Sequence, residues 1–184
     1  MRIIGGKFKG KKILFLRSKL TRPLKDFVKE NIFNILYHAK EIKIGIRGCE
    51  VLDLYSGIGS FGLECLSRDA KRVTFIEANK DVTKILEENL NNLAVGAQGS
   101  IINSKIENVK IWKKKYDLIF LDPPFKENTF INILRVLKEK KIYKKNHIVV
   151  VHREKNSIDN LEGIIKIFKT KIYRRSKIIF GYFN

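Results

Sequence analysis

The chain has 184 residues, 44% hydrophobic and 10% aromatic, enough for one domain with a real core and too apolar for a disordered tail. Lys and Arg number 38 against 19 Asp and Glu, a net charge of +19, which points to a polyanionic partner, nucleic acid first; because most of the excess is Lys amid abundant Ile and Asn, a genome-wide compositional bias is the competing account. Cys49, Cys65, His38, His147 and His152 stand at no recognised ligand spacing, so no metal is expected and both cysteines read as small buried hydrophobes, and with no signal core and no apolar run near the ~20 residues that cross a bilayer the expectation is a cytoplasmic monomer.

Residues 1–25 carry Arg2, Lys7, Lys9, Lys11, Lys12, Arg17, Lys19, Arg22 and Lys25 and no acid. The apolar pieces Ile3-Ile4 and Ile13 to Leu16, punctuated by Gly5-Gly6 and Gly10, predict short strands or a hairpin. A frayed terminus is the bland alternative, but a segment that can order itself makes a better phosphate-binding arm. Its candidate RNA contacts are Arg2, Lys7, Lys9, Lys11 and Arg22. Pro23 opens a helix expected to run to about Ala39, with Leu24, Phe27, Val28, Ile32, Ile35 and Leu36 largely on one face. Residues 1–45 thus read as a basic extension docked on a core spanning 46–184.

From Glu50 the chain alternates. Strands are expected at Val51 to Leu54, Arg72 to Ile76, Ser100 to Ile102, Tyr116 to Leu121 and His147 to Val151. Helices are expected after the first turn, at Lys80 to Leu93 (Val82, Ile85, Leu86, Leu90 and Leu93 inward) and at Phe130 to Leu137. This predicts an α/β fold, a mostly parallel sheet with helices on both faces. Ile164 to Tyr173 and Lys177 to Phe183 close the chain as an antiparallel hairpin on the sheet edge.

The first strand runs into Gly57, Gly59 and Gly62, spaced G-x-G-x-x-G, a pattern shared by several nucleotide cofactors. Asp53 discriminates among them. A carboxylate beside the turn would repel a pyrophosphate but suits the ammonium of S-adenosylmethionine; the plain alternative is a carboxylate that caps the turn. Polar residues recur at the ends of the next strands: Glu77, about 20 residues on, where a ribose-hydroxyl acceptor is expected, then Asn103-Ser104 and Asp122. The candidate cofactor-binding set is Asp53, Tyr55, Ser56, Gly57, Gly59, Glu77, Ala78, Asn103 and Ser104.

Asp122-Pro123-Pro124-Phe125 is the most specific tetrapeptide. Two prolines fix φ and remove two N–H donors, leaving a rigid, acceptor-rich shelf. A carboxylate before it and a ring after it suit a planar base bearing an exocyclic amine. Asp122 and the Pro123 carbonyl would each take one amine hydrogen while Phe125 stacks, and the amine attacks the sulfonium methyl of a base brought out of its stack. A stiff structural loop is the other reading.

These residues resemble the bacterial small-subunit (16S) ribosomal RNA guanine-N2 methyltransferase family, within the class I, Rossmann-like methyltransferase fold. The resemblance rests on Arg2-Ile-Ile-Gly-Gly-Lys-Phe-Lys-Gly10, Thr21-Arg-Pro23, Lys29-Glu30, Phe33-Asn34, Asp53 to Arg68, Asn103-Ser104 and Asp122 to Phe125. It implies a seven-stranded sheet, S-adenosylmethionine as cofactor, and methylation of one guanine N2 in ribosomal RNA within assembled subunit particles. The chain departs from that family at Leu24 (a second threonine is common), Lys29 (usually arginine) and Arg175-Ser176 (an aromatic-glycine pair). A DNA adenine-N6 or cytosine-N4 methyltransferase shares both central motifs but needs a target-recognition region for which 184 residues leave little room. A protein-glutamine methyltransferase would favour Asn at position 122. A non-catalytic RNA-binding ribosome-assembly factor would not need both Asp53 and Asp122.

Overall fold

The computed structural model describes residues 1–15, 24–109, 114–125 and 127–184; Thr21, Arg22 and Pro23 lie outside them. Seven strands form one sheet: β1 (Glu50–Leu54), β2 (Arg72–Glu77), β3 (Gly99–Asn103), β4 (Tyr116–Leu121), β5 (Tyr143–Glu154), β6 (Ile165–Tyr173) and β7 (Ser176–Phe183). Their order across the sheet is β3-β2-β1-β4-β5-β7-β6. The first five are parallel, β7 runs antiparallel between β5 and β6, and the expected edge hairpin is present. Strand order reverses between β1 and β4, the topological switch point at which open α/β sheets bind ligands beyond the strand C-termini.

The pleat sorts side chains onto two cores. Val51, Val73, Phe75, Leu118, Phe120 and Val150 face one side. There they meet α1 (Asp26–His38), α2 (Ser60–Ser67), α3 (Lys80–Asn92) and the N-terminal extension. Leu52, Leu54, Ile119, Leu121 and Val149 face the other and pack on α4 (Phe130–Glu139). Because both faces of the central strands are covered, β1 and β4 are nearly continuous apolar runs. On the edge strand β6, Lys166 and Lys171 are exposed, charges that discourage pairing with another chain. Among the described residues no helix is long and apolar enough to cross a membrane.

Three expectations change. β5 starts at Tyr143, not His147, because Lys144 to Asn146 form an irregularity against β4, whose Tyr116 pairs with Tyr143 and Leu118 with Ile148; the polar run disguises a strand whose Lys144 is held by Asp117 at 2.7 Å. In α1, Phe27 is not inward but 57% exposed, its ring edge-on to Tyr173, while Lys29 is fully buried. Lys29 Nζ donates to the Arg2 carbonyl at 2.8 Å and lies 3.6 Å from Glu64. Burial lowers its pKa, and Glu64 and Asp26 oppose the shift. Glu64 also accepts the Ile4 N–H at 2.9 Å, Ser67 the Phe8 N–H at 3.0 Å and Asn89 the Leu14 N–H at 2.7 Å. These bonds stitch the extension onto α2 and α3. The hairpin expected there is a single antiparallel bridge, Arg2 to Lys12, around a 3-10 turn at Gly6–Phe8.

Candidate active site

A cleft of about 600 Å³ opens beyond the C-terminal ends of β1, β2, β3 and β4. Of the expected residues, Tyr55, Glu77, Ala78, Ser104 and all four of Asp122 to Phe125 line it. Asp53, Ser56, Gly57, Gly59 and Asn103 are not part of that lining.

Asp53 is 1% exposed, and Oδ2 accepts the Gly62 N–H at 2.9 Å. Burial raises its pKa well above the usual carboxylate range, Asp122 and Glu77 add to the rise, and the Gly62 N–H opposes it. Three carboxylates thus converge at one end of the cleft, a place unfavourable for an anion and improved by a cation. The glycines differ in purpose. Gly57 has φ +54° and open space where a Cβ would lie, whereas a Cβ on Gly62 would fall 2.2 Å from Phe75 Cε1. The first is needed for the turn, the last for close approach of α2 to β2.

Glu77 spans the turn: Oε2 accepts the Gly57 N–H and Oε1 the Asn79 N–H, each at 2.9 Å. Asn103 Nδ2 donates to the carbonyls of Glu77 (3.0 Å) and Ala78 (3.2 Å), bracing that corner from β3. Tyr55 has φ +56°, costly for a bulky residue, and its hydroxyl donates to Glu127 at 2.7 Å. Burial and Glu127 push the phenol pKa up. The hydroxyl of Ser56 is buried without a partner among the described residues, a polar atom that a ligand in the turn would satisfy.

Asp122 continues from β4, its N–H donating to the Leu54 carbonyl at 3.3 Å. Two residues that the sequence did not single out hold this loop. His152 Nδ1 lies 2.8 Å from Asp122 Oδ1, and Nε2 lies 2.9 Å from Ser176 Oγ. Arg153, 1% exposed, donates to the carbonyls of Pro124 (3.1 Å) and Phe125 (3.3 Å) and to Asp159 (3.1 Å), with its guanidinium 4.4 Å from the Phe130 ring centre. The Pro123 carbonyl has no partner among the described residues. Arg153 therefore fixes the shelf through the two carbonyls that follow Pro123. Both residues sit at the end of β5, and extending that strand by two would have put them under the rule that singled out the other strand ends.

The basic arm lies elsewhere. Lys7 is 3.5 Å from Asp69, whose carbonyl accepts the N–H of Gly48, just before β1. Lys7 is thus at the N-terminal end of the sheet, opposite the cleft. Lys7 and Lys11 flank the Phe8 ring at 5.2 and 5.0 Å, and Arg2 is 3.5 Å from Asp26. Arg22 lies outside the described residues.

A family model described as conserved hypothetical protein 95 matches residues 1–182. Ribosomal RNA small subunit methyltransferase D of Haemophilus influenzae is 38% identical over 160 residues, which cover 85% of this chain and 80% of that protein. Among solved structures, the candidate methyltransferase yhhF of Escherichia coli superposes with a TM-score of 0.84 at 26% identity, over 98% of this chain and 96% of that one. The candidate methylase HI0767 of Haemophilus influenzae gives 0.77 at 30% identity, over 100% and 98%.

Proposed function

The chain belongs to the conserved hypothetical protein 95 family, that of the ribosomal RNA small subunit methyltransferase D proteins, and from that premise we propose that it transfers a methyl group from S-adenosylmethionine to the exocyclic N2 amine of a guanine in small-subunit ribosomal RNA. Assembled subunit particles are the proposed substrate. One observation carries the reading: Asp122 and Pro123 line the same cleft as Glu77, on a shelf whose next two carbonyls Arg153 holds.

The residues present fit the cofactor. The buried Asp53, its proton affinity raised by burial and by Asp122 and Glu77, favours an ammonium over a phosphate. Gly57 leaves room at the turn, and Glu77, with further lone pairs beyond its two backbone bonds, is placed to accept from ribose hydroxyls. When bound, S-adenosylmethionine supplies an electrophilic methyl.

The chain's own contribution is orientation and electrostatics. An aromatic amine is a poor nucleophile because its lone pair is delocalised into the ring. Asp122 and the Pro123 carbonyl each accept one amine hydrogen, which favours the pyramidal form as the new bond develops. Phe125, half-buried at the cleft rim, stacks on the base and excludes water. The same geometry serves adenine-N6 amines, so specificity rests on contacts outside the shelf.

The test is transfer of labelled methyl to small ribosomal subunits, compared with DNA and protein, followed by nucleoside analysis. N2-methylguanosine in small-subunit RNA is expected. Label confined to DNA would overturn the substrate assignment. Asp122→Ala should abolish transfer and leave cofactor affinity within about twofold, since one acceptor of a two-point grip is removed; unchanged turnover would remove its role.

A further inference from the structure

Resting on that reading, we propose that His152 is a positioning residue for methyl transfer: it holds Asp122 Oδ1 so that the second carboxylate oxygen faces the amine, and Ser176 on the neighbouring strand orients the imidazole. His152 is 6% exposed and Ser176 7%, so the line Asp122, His152, Ser176 crosses from β4 through β5 to β7 with little access to water. A carboxylate only accepts hydrogen bonds, so at 2.8 Å from Asp122 Oδ1 the Nδ1 atom carries hydrogen. A hydroxyl both donates and accepts, so Ser176 at 2.9 Å satisfies Nε2 whether or not it is protonated. The Asp122 contact is thus kept in both charge states of the ring. Phe125 meets the imidazole edge-on, with ring centres 5.7 Å apart, which joins the stacking residue to the same support.

The charged groups around the ring leave Asp122 as its partner. On β5, Arg153 is committed to Asp159 and the shelf carbonyls, and Glu154 lies beyond it. On β7, Lys177 turns to Asp159 at 3.4 Å. From β4 the group that reaches His152 is Asp122.

The chemical step balances without further reactants. The amine nitrogen forms a bond to the methyl carbon as the carbon–sulfur bond breaks, and that electron pair stays on sulfur. The nitrogen then loses its surplus proton to the Asp122 oxygen facing it, and from there to solvent. A carboxylate free to rotate would meet the amine in the right geometry less often.

The experiment is steady-state transfer by the full chain carrying His152→Ala, His152→Asn or Ser176→Ala. The Ala change at position 152 should lower kcat about 10- to 100-fold, the range for losing a hydrogen bond to a charged group, with KM for subunits and cofactor affinity within about twofold. In His152→Asn the side-chain N–H can take the place of the Nδ1 donor, so most of the rate should return. Ser176→Ala, which leaves the ring in place, should lower kcat by a smaller factor and remains informative if the Ala variant at 152 folds poorly. Wild-type kcat in both Ala variants, a change in KM alone, or an Asn variant no better than Ala at matched thermal stability would overturn the assignment. Should the wild-type protein methylate a different nucleic acid, the same variants read out on that substrate, so failure of the ribosomal reading is separable from failure of this one.

Discussion

Gly62→Ala tests whether the third glycine of the turn serves packing. An added Cβ would lie 2.2 Å from Phe75 Cε1, 2.7 Å from Cζ and 2.8 Å from Val73 Cγ1, where carbon atoms sit at about 3.5–4.0 Å. Phe75 is fully buried and also lies beneath the Gly59 position, so the ring has little room to yield and α2 must back away by about 1 Å. That shift would stretch the 2.9 Å bond from Gly62 N to Asp53 beyond hydrogen-bonding range. Overpacking costs about 1–3 kcal/mol and stripping a buried carboxylate of its donor about 1–3 kcal/mol more. At about 2–4 °C per kcal/mol for a chain of this size, Tm should fall by about 5–20 °C. Gly57→Ala is the matched control: its Cβ meets nothing within 4 Å, and the left-handed φ costs about 1–2 kcal/mol. Thermal melts without cofactor should rank Gly62→Ala well below Gly57→Ala, while cofactor titrations should find binding impaired in both. A Gly62→Ala protein that melts with the wild type would refute the packing assignment.

Asp53→Asn should trade binding for stability. Because the folded state raises the Asp53 pKa, the proton is bound more tightly in the folded than in the unfolded chain. The stabilisation is complete below the unfolded value and is lost as pH rises through the folded one. An amide cannot ionise, so the variant without cofactor should be more stable by about 1–2 kcal/mol near neutrality. Melting curves across pH should show that advantage growing as pH rises, and calorimetry should show weakened cofactor binding; equal affinity would place the ammonium elsewhere. Replacing Lys7, Lys9 and Lys11 together should weaken subunit binding and flatten its salt dependence, the log–log slope falling by about 0.7–0.9 for each phosphate no longer neutralised. Because Lys7 lies opposite the cleft, the triple variant should raise KM and leave kcat unchanged, and an unaltered salt slope would mean that the arm does not touch RNA.

Legibility in the sequence followed the range of the interactions. Periodicity gave the sheet's central strands and the inward residues of α3 because each depends on neighbours a turn or two away, and Val82, Leu86, Leu90 and Leu93 are buried as their spacing requires. It misplaced Phe27 and said nothing of the burial of Lys29 because their sides are chosen by partners far along the chain: Tyr173 for the ring, Arg2 and Glu64 for the ammonium. The same divide runs through the candidate site. Asp53, Glu77 and Asp122 could be read as polar residues ending apolar strands, but their being set by Gly62, Gly57 and His152 could not. Ser176 carries this furthest. In the sequence, Arg175-Ser176 is only a departure from the family's usual aromatic-glycine pair, a matter of hairpin geometry. In three dimensions its hydroxyl supports the imidazole that holds Asp122, so a change that looks confined to an edge turn reaches the reacting end of the cleft through two hydrogen bonds. A relative with glycine at that position lacks the hydroxyl and must orient its acid by other means.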